Sequence, residues 1–125
     1  MQIVNVALGG TLRSVPRSDI DHDIQGKRNL YTHRAHLIKN SLLQGIYEGS
    51  NTIDLNGGHA QTISHISPLL CATAIADDGT IEAVEAPDYP FLLGVRSHPE
   101  LSPNRYAARN FFKLFINYAD KRPAR

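Results

Sequence analysis

The residues best suited to chemistry are His98 and Glu100, separated by Pro99 and set directly after the apolar run Phe91-Leu92-Leu93-Gly94-Val95. The run reads as a buried strand. Pro99 cannot donate to a sheet ladder and biases His98 towards an extended backbone, so the strand stops here and leaves the imidazole at its carboxyl end. Glu100 can then turn back towards the ring. A carboxylate on one ring nitrogen fixes the tautomer and leaves the other nitrogen to take a proton from a nucleophile. A loop histidine beside an unrelated surface glutamate has the same spacing, so the pair needs a nucleophile to give it meaning. Cys71 is the only thiol. It lies in Leu69-Leu70-Cys71-Ala72-Thr73-Ala74, a strand interior with no glycine-rich elbow or helix N-terminus to favour the thiolate, and reads as a buried structural residue.

A second polar cluster is Asn56-Gly57-Gly58-His59-Ala60-Gln61. Its paired glycines let the backbone approach a ligand closely or take a positive φ, and His59 and Gln61 offer polar groups beside them; an ordinary glycine turn is the other reading. His33 and His36 would share one face of a helix and could there hold a metal. No carboxylate stands at a ligand-like interval beside them, and His36 reads as opening a strand, so neither a metal nor a cofactor is expected.

The elements that must position these groups alternate in type. Residues 2–8 carry Ile3, Val4, Val6, Ala7 and Leu8 and end in Gly9-Gly10, which predicts a short helix buried on all sides. Residues 13–28 read as a polar surface loop, 35–39 as a strand, 42–47 as a helix capped by Ser41, and 52–55 as another strand. Residues 69–76 and 80–86 flank Asp77-Asp78-Gly79 and predict a hairpin, followed by a strand over 91–97. Ser102-Pro103 then starts a closing helix in which Ala108, Phe111, Phe112, Phe115, Tyr118 and Ala119 recur at helical spacing as a core-facing stripe. The fold class is α/β.

Composition narrows the partners. The chain has 125 residues, 42% of them hydrophobic, and a net charge of +1 with no sustained basic block, which argues against nucleic acid or a membrane surface. No apolar run approaches the roughly 20 residues that span a bilayer, and Met1-Gln2-Ile3 lacks the basic start of a signal peptide. One cysteine excludes an intrachain disulfide and suits a reducing cytoplasm.

Taken together, MQIVNVALGGTL (1–12), NGGHAQTI (56–63), DDGTIEAVE (77–85) and GVRSHPE (94–100) resemble, in order and spacing, the C-terminal half of the class I glutamine amidotransferase superfamily. The best match is its γ-glutamyl hydrolase branch, of the γ-glutamyl-γ-aminobutyrate hydrolase type. The resemblance implies a partial flavodoxin-like three-layer domain across residues 1–125, with Met1 just after a Cys-Arg-Gly nucleophile elbow that lies in the other half. It also implies His98 as the base, Glu100 as its orienting acid, and Gln2, His59 and Gln61 as groups that seat a small γ-glutamyl compound. Relatives usually carry glutamine and a bulky aromatic where this chain has Arg96-Ser97, which replaces packing beside the base with a cation and a small hydroxyl. Two readings follow. One is a hydrolase fragment, inactive alone, whose partner is a complementing N-terminal half or a second copy. The other is a non-catalytic binding or interaction protein derived from that domain.

Overall fold

In the computed structural model, which describes residues 1–14, 31–56, 61–102 and 105–121, a five-stranded sheet lies between two layers. Its order is β3 (Thr52–Asn56), β2 (Tyr31–Leu37), β5 (Cys71–Ala76), β6 (Ile81–Glu85) and β7 (Leu93–Val95), with every neighbouring pair antiparallel. Side chains alternate across a strand, so successive residues of β6 serve different layers. Ala83 joins Ala35, Leu37, Ile53, Leu55 and Ala74 in one core, covered by α2 (Leu42–Ile46) and by Phe111 and Leu114 of α3 (Arg105–Asp120). Val84 joins Ile63, Leu70 and Ala86 in a second core, covered by Met1, Val4 and Leu8 of the α1 segment (helix Gln2–Ala7) and by Leu12. On that side β1 (Thr11–Ser14) and β4 (Gln61–His65) form a separate antiparallel ribbon.

The local signals explain most of these elements. Ser41 caps α2 by accepting from the Gln44 N–H, and Glu85 accepts from the Leu42 and Leu43 N–H groups, satisfying donors that a helix start leaves open. At the β5–β6 hairpin, Gly79 takes a φ of +84° and the Asp78 carboxylate accepts from Thr80 N–H.

Three expectations are corrected. The helix at 2–8 is not buried on all sides: Asn5 is its one buried residue, Ile3 is 85% exposed, and only Met1, Val4 and Leu8 of that segment face the core. Six residues make fewer than two turns, so a single side of the helix meets the sheet. Cys71 is exposed rather than buried, because a bulge between Ala72 and Ala74 resets the β5 register and leaves the strand's first residue at the surface. The stripe on the closing helix is shifted as well. Ala107 is its buried residue, while Phe112 and Phe115 are exposed and Phe91 stacks on Tyr118 at 4.6 Å between ring centroids. The ribbon β1–β4 was not legible in the sequence, since neither segment has the apolar alternation of a half-buried strand. Residues 15–30, and with them most of the predicted polar loop, lie outside the described residues, as does the Pro103 cap.

What closes the ribbon is Asn5. Its amide accepts from the Ser67 N–H at 2.8 Å and donates to the His65 carbonyl at 3.1 Å and the Thr11 carbonyl at 3.4 Å, with no surface exposed. Gly10 leaves room for it: a Cβ there would lie 2.2 Å from Asn5 Oδ1. Gly10→Ala should therefore destabilise the chain by about 3 kcal/mol, three hydrogen bonds at ~1 kcal/mol each. In urea unfolding, the same substitution made on an Asn5→Ala background should cost little more, because the obstructing amide is gone; additive losses would refute the steric account.

Candidate active site

Strand β7 delivers the two residues that chemistry would need. The last bond of the β6–β7 ladder is Arg96 N–H to the Glu82 carbonyl at 3.0 Å. Beyond it, His98 has φ −105° and ψ 88°, and residues Pro99–Leu101 make one turn of 3-10 helix, closed by Leu101 N–H to the His98 carbonyl at 3.0 Å. That turn swings Glu100 back, placing its Oε1 2.8 Å from His98 Nδ1. A carboxylate can only accept, so Nδ1 carries the proton and the neutral ring leaves Nε2 with its lone pair. Both side chains reach solvent, at 34% for His98 and 55% for Glu100.

Burial alone would raise the Glu100 carboxyl pKa. The hydrogen bond from His98, the Glu100 backbone N–H and the charge of His98 together outweigh it and hold the carboxyl below its ordinary range.

The segment carrying the second polar cluster is fastened to this turn at both described ends. Asn56, buried at the end of β3, accepts from His98 N–H at 2.8 Å and donates to the His98 carbonyl at 2.8 Å. At the start of β4, the Gln61 carbonyl accepts from Arg96 Nη2 at 2.7 Å and, at 3.5 Å, from the side-chain amide of Gln2. The structure thus brings Gln2 and Gln61 together, through the Gln61 backbone, beside the strand that leads to His98. His59 lies outside the described residues. Arg96 is 6% exposed; burial lowers its pKa, while the Glu82 and Asp78 carboxylates support its charge and Arg13 opposes it. Met1 borders the same strand, for a Cβ on Gly94 would lie 3.1 Å from Met1 Cα.

His33 and His36 do not share a face. They sit on β2, three residues apart and on opposite sides of the sheet, His33 donating to buried Glu82 at 3.0 Å and His36 meeting exposed Asp77 at 2.6 Å. Sequence reasoning missed Asn56 and Arg96 as groups that hold the site. The only signal for either was adjacency, Asn56 to the glycine pair and Arg96 to the His-Pro-Glu turn.

The peptidase C26 family model matches residues 1–100. Protein NtpR of Enterococcus hirae is 32% identical over 123 residues, covering 93% of this chain and 51% of that protein. The γ-glutamyl-γ-aminobutyrate hydrolase PuuD of Escherichia coli is 34% identical over 86 residues, covering 68% of this chain and 34% of PuuD. Among solved structures, a glutamine amidotransferase from Methylobacillus flagellatus is alike in fold, with a TM-score of 0.57 over 90% of this chain and 39% of its own length at 19% identity. The chain spans about half, or less, of the length of the curated relatives it matches.

The depressed Glu100 pKa sets a pH dependence. A carboxyl whose folded pKa lies below its unfolded value stabilises the fold above the unfolded value, about 4.3 for Glu, and loses that contribution as pH falls through the folded value. With Glu100 half exposed the contribution is small, so its titration is the better readout. Side-chain carboxyl carbon NMR should find Glu100 titrating below the ordinary range in the wild type and moving back up in His98→Ala. An unmoved midpoint would remove the pairing.

Proposed function

This chain belongs to the peptidase C26 family of class I glutamine amidotransferases, and from that premise we propose that it carries the base and acid of a γ-glutamyl amide hydrolase whose cysteine nucleophile lies outside these 125 residues. The observation that carries the reading is the 2.8 Å contact of His98 Nδ1 with Glu100 Oε1, which leaves Nε2 as the proton acceptor. In the proposed reaction Nε2 takes the thiol proton as the thiolate attacks the γ-carbonyl. The imidazolium then returns that proton to the departing amine, and a water activated by the same nitrogen splits the γ-glutamyl thioester to release glutamate. Gln2, His59 and Gln61 are the proposed seats of the glutamyl group. The meeting of Gln2 and Gln61 beside Arg96 supports this, as does the likeness to a γ-glutamyl-γ-aminobutyrate hydrolase.

The partner this reading calls for is a complementing N-terminal half, or a second copy that supplies the same elements. Exposed Ile3 and Val6 on α1, beside the strand that leads to His98, support a surface of that kind. The compartment we propose is the cytoplasm, whose reducing conditions keep a nucleophilic thiol from oxidising. Among the described residues no helix is long and apolar enough to cross a membrane.

The test measures glutamate release from γ-glutamyl-p-nitroanilide and γ-glutamyl-γ-aminobutyrate. The 125-residue chain alone should give none above background, because a covalent nucleophile and its oxyanion donors are missing together, and each oxyanion donor alone contributes about 3 kcal/mol in such sites. The chain joined to an N-terminal half ending in Cys-Arg-Gly should turn over, and His98→Ala should abolish that turnover. Turnover by the short chain that disappears in Cys71→Ser would overturn the reading in favour of the exposed thiol. No turnover in any form would favour a non-catalytic binding protein.

A further inference from the structure

The backbone of His98 is held by a side chain rather than by a strand. The β6–β7 ladder ends at Arg96, and Pro99 has no N–H to extend it. Past that point the peptide groups of His98 need partners from elsewhere, since a half-buried backbone donor without one is costly. Asn56 supplies both. Its Oδ1 takes the His98 N–H and its Nδ2 gives a hydrogen bond to the His98 carbonyl, each at 2.8 Å. An amide is the side chain that offers an acceptor and a donor on one planar end, so it can pair with one residue's backbone as an antiparallel strand would.

We propose that Asn56 is the positioning residue of the His98–Glu100 pair, its amide standing in for the strand that Pro99 forbids; this rests on the reading of that pair as base and acid. Two bonds to one residue fix orientation as well as distance, so Asn56 sets where the His98 Cα–Cβ bond points. The His98 carbonyl that Asn56 grips also accepts from Leu101 N–H and closes the turn bearing Glu100. One side chain therefore places both members of the pair, the ring directly and the carboxylate through the turn. Asn56 has the rigidity this needs: it is 3% exposed and anchored in β3, where it pairs with Tyr31.

Long-range proton–nitrogen NMR of the His98 ring, recorded on the whole chain above the pH at which the ring is neutral, provides the test. The wild type should show the Nδ1–H tautomer that a bond to Glu100 demands. Asn56→Ala should return the ring to the tautomer mixture of a free imidazole and move the Glu100 midpoint up towards that of His98→Ala, while amide signals of the α2 core stay in place. Asn56→Asp is near in shape but sets an acceptor oxygen against the His98 carbonyl where Nδ2 donated, so it too should lose the Nδ1–H preference; it decides the matter if Asn56→Ala does not fold. An Nδ1–H tautomer unchanged in a folded Asn56→Ala, or unchanged in a folded Asn56→Asp, overturns the inference. A wild-type ring with no Nδ1–H preference, and a Glu100 midpoint that His98→Ala leaves unmoved, would instead overturn the pair itself and leave Asn56 without a function to serve.

Discussion

A carboxylate buried in the sheet is the constraint on which the rest of the structure turns. Glu82 is 1% exposed in the middle of β6, and such a group is tolerated only with charged or donating partners around it. Two of them come from distant parts of the chain. His33 donates from β2, beyond the end of β5, and Arg96, just past β7, carries a charge that Glu82 favours from the far side. Burying Glu82 thus draws together both flanks of the sheet. Arg96 itself is buried, and its Nη2 donates to the Gln61 carbonyl, fastening the β1–β4 ribbon to the strand that leads to His98. Removing one partner from such a group costs far more than the pair contributes, which makes this arrangement a fixed point of the fold.

From that fixed point the site follows by a change of hydrogen-bonding partner. As far as Arg96 the backbone is held by its neighbour in the sheet; from His98 onwards it is held by the Asn56 amide and by a single 3-10 turn. Sheet hydrogen bonding therefore ends two residues before the imidazole. What lies beyond is half exposed and needs only short, local contacts to be placed, a common way for a stable sheet to present reactive groups at its edge. Gly94 serves the same end, since the absence of a Cβ lets Met1 pack against the strand.

The two cores differ in how they are closed. On one face α2 and α3 lie over a compact cluster of aliphatic side chains. On the other, α1 contributes one side of fewer than two turns, and a polar residue, Asn5, ties it to the ribbon. Ile3 and Val6 stay exposed on that helix, and Phe112, Phe115 and Ile116 on α3. On the α1 side the hydrogen bonds of Asn5 add to the apolar contacts of Met1, Val4 and Leu8.

The sequence by itself determined the class of fold, the β5–β6 hairpin, the capped helix at Ser41 and the His-Pro-Glu turn, because each is written in local signals: a glycine at a turn, a serine before a helix, a proline that ends a strand. It also marked His98 and Glu100, whose spacing alone brings them within reach. Only the tertiary structure decided that Cys71 is outside, that α1 is covered on one side, and that Thr11–Ser14 pairs with Gln61–His65, since a bulge, a helix's neighbours and a pairing between distant segments leave no periodic trace. Asn56 belongs to the same class. Beside two glycines it reads as a turn residue, and nothing within its own neighbourhood says that its amide will meet the backbone of a residue 42 positions further on. Local chemistry can be read along the chain; the partner of a buried polar group is chosen in three dimensions.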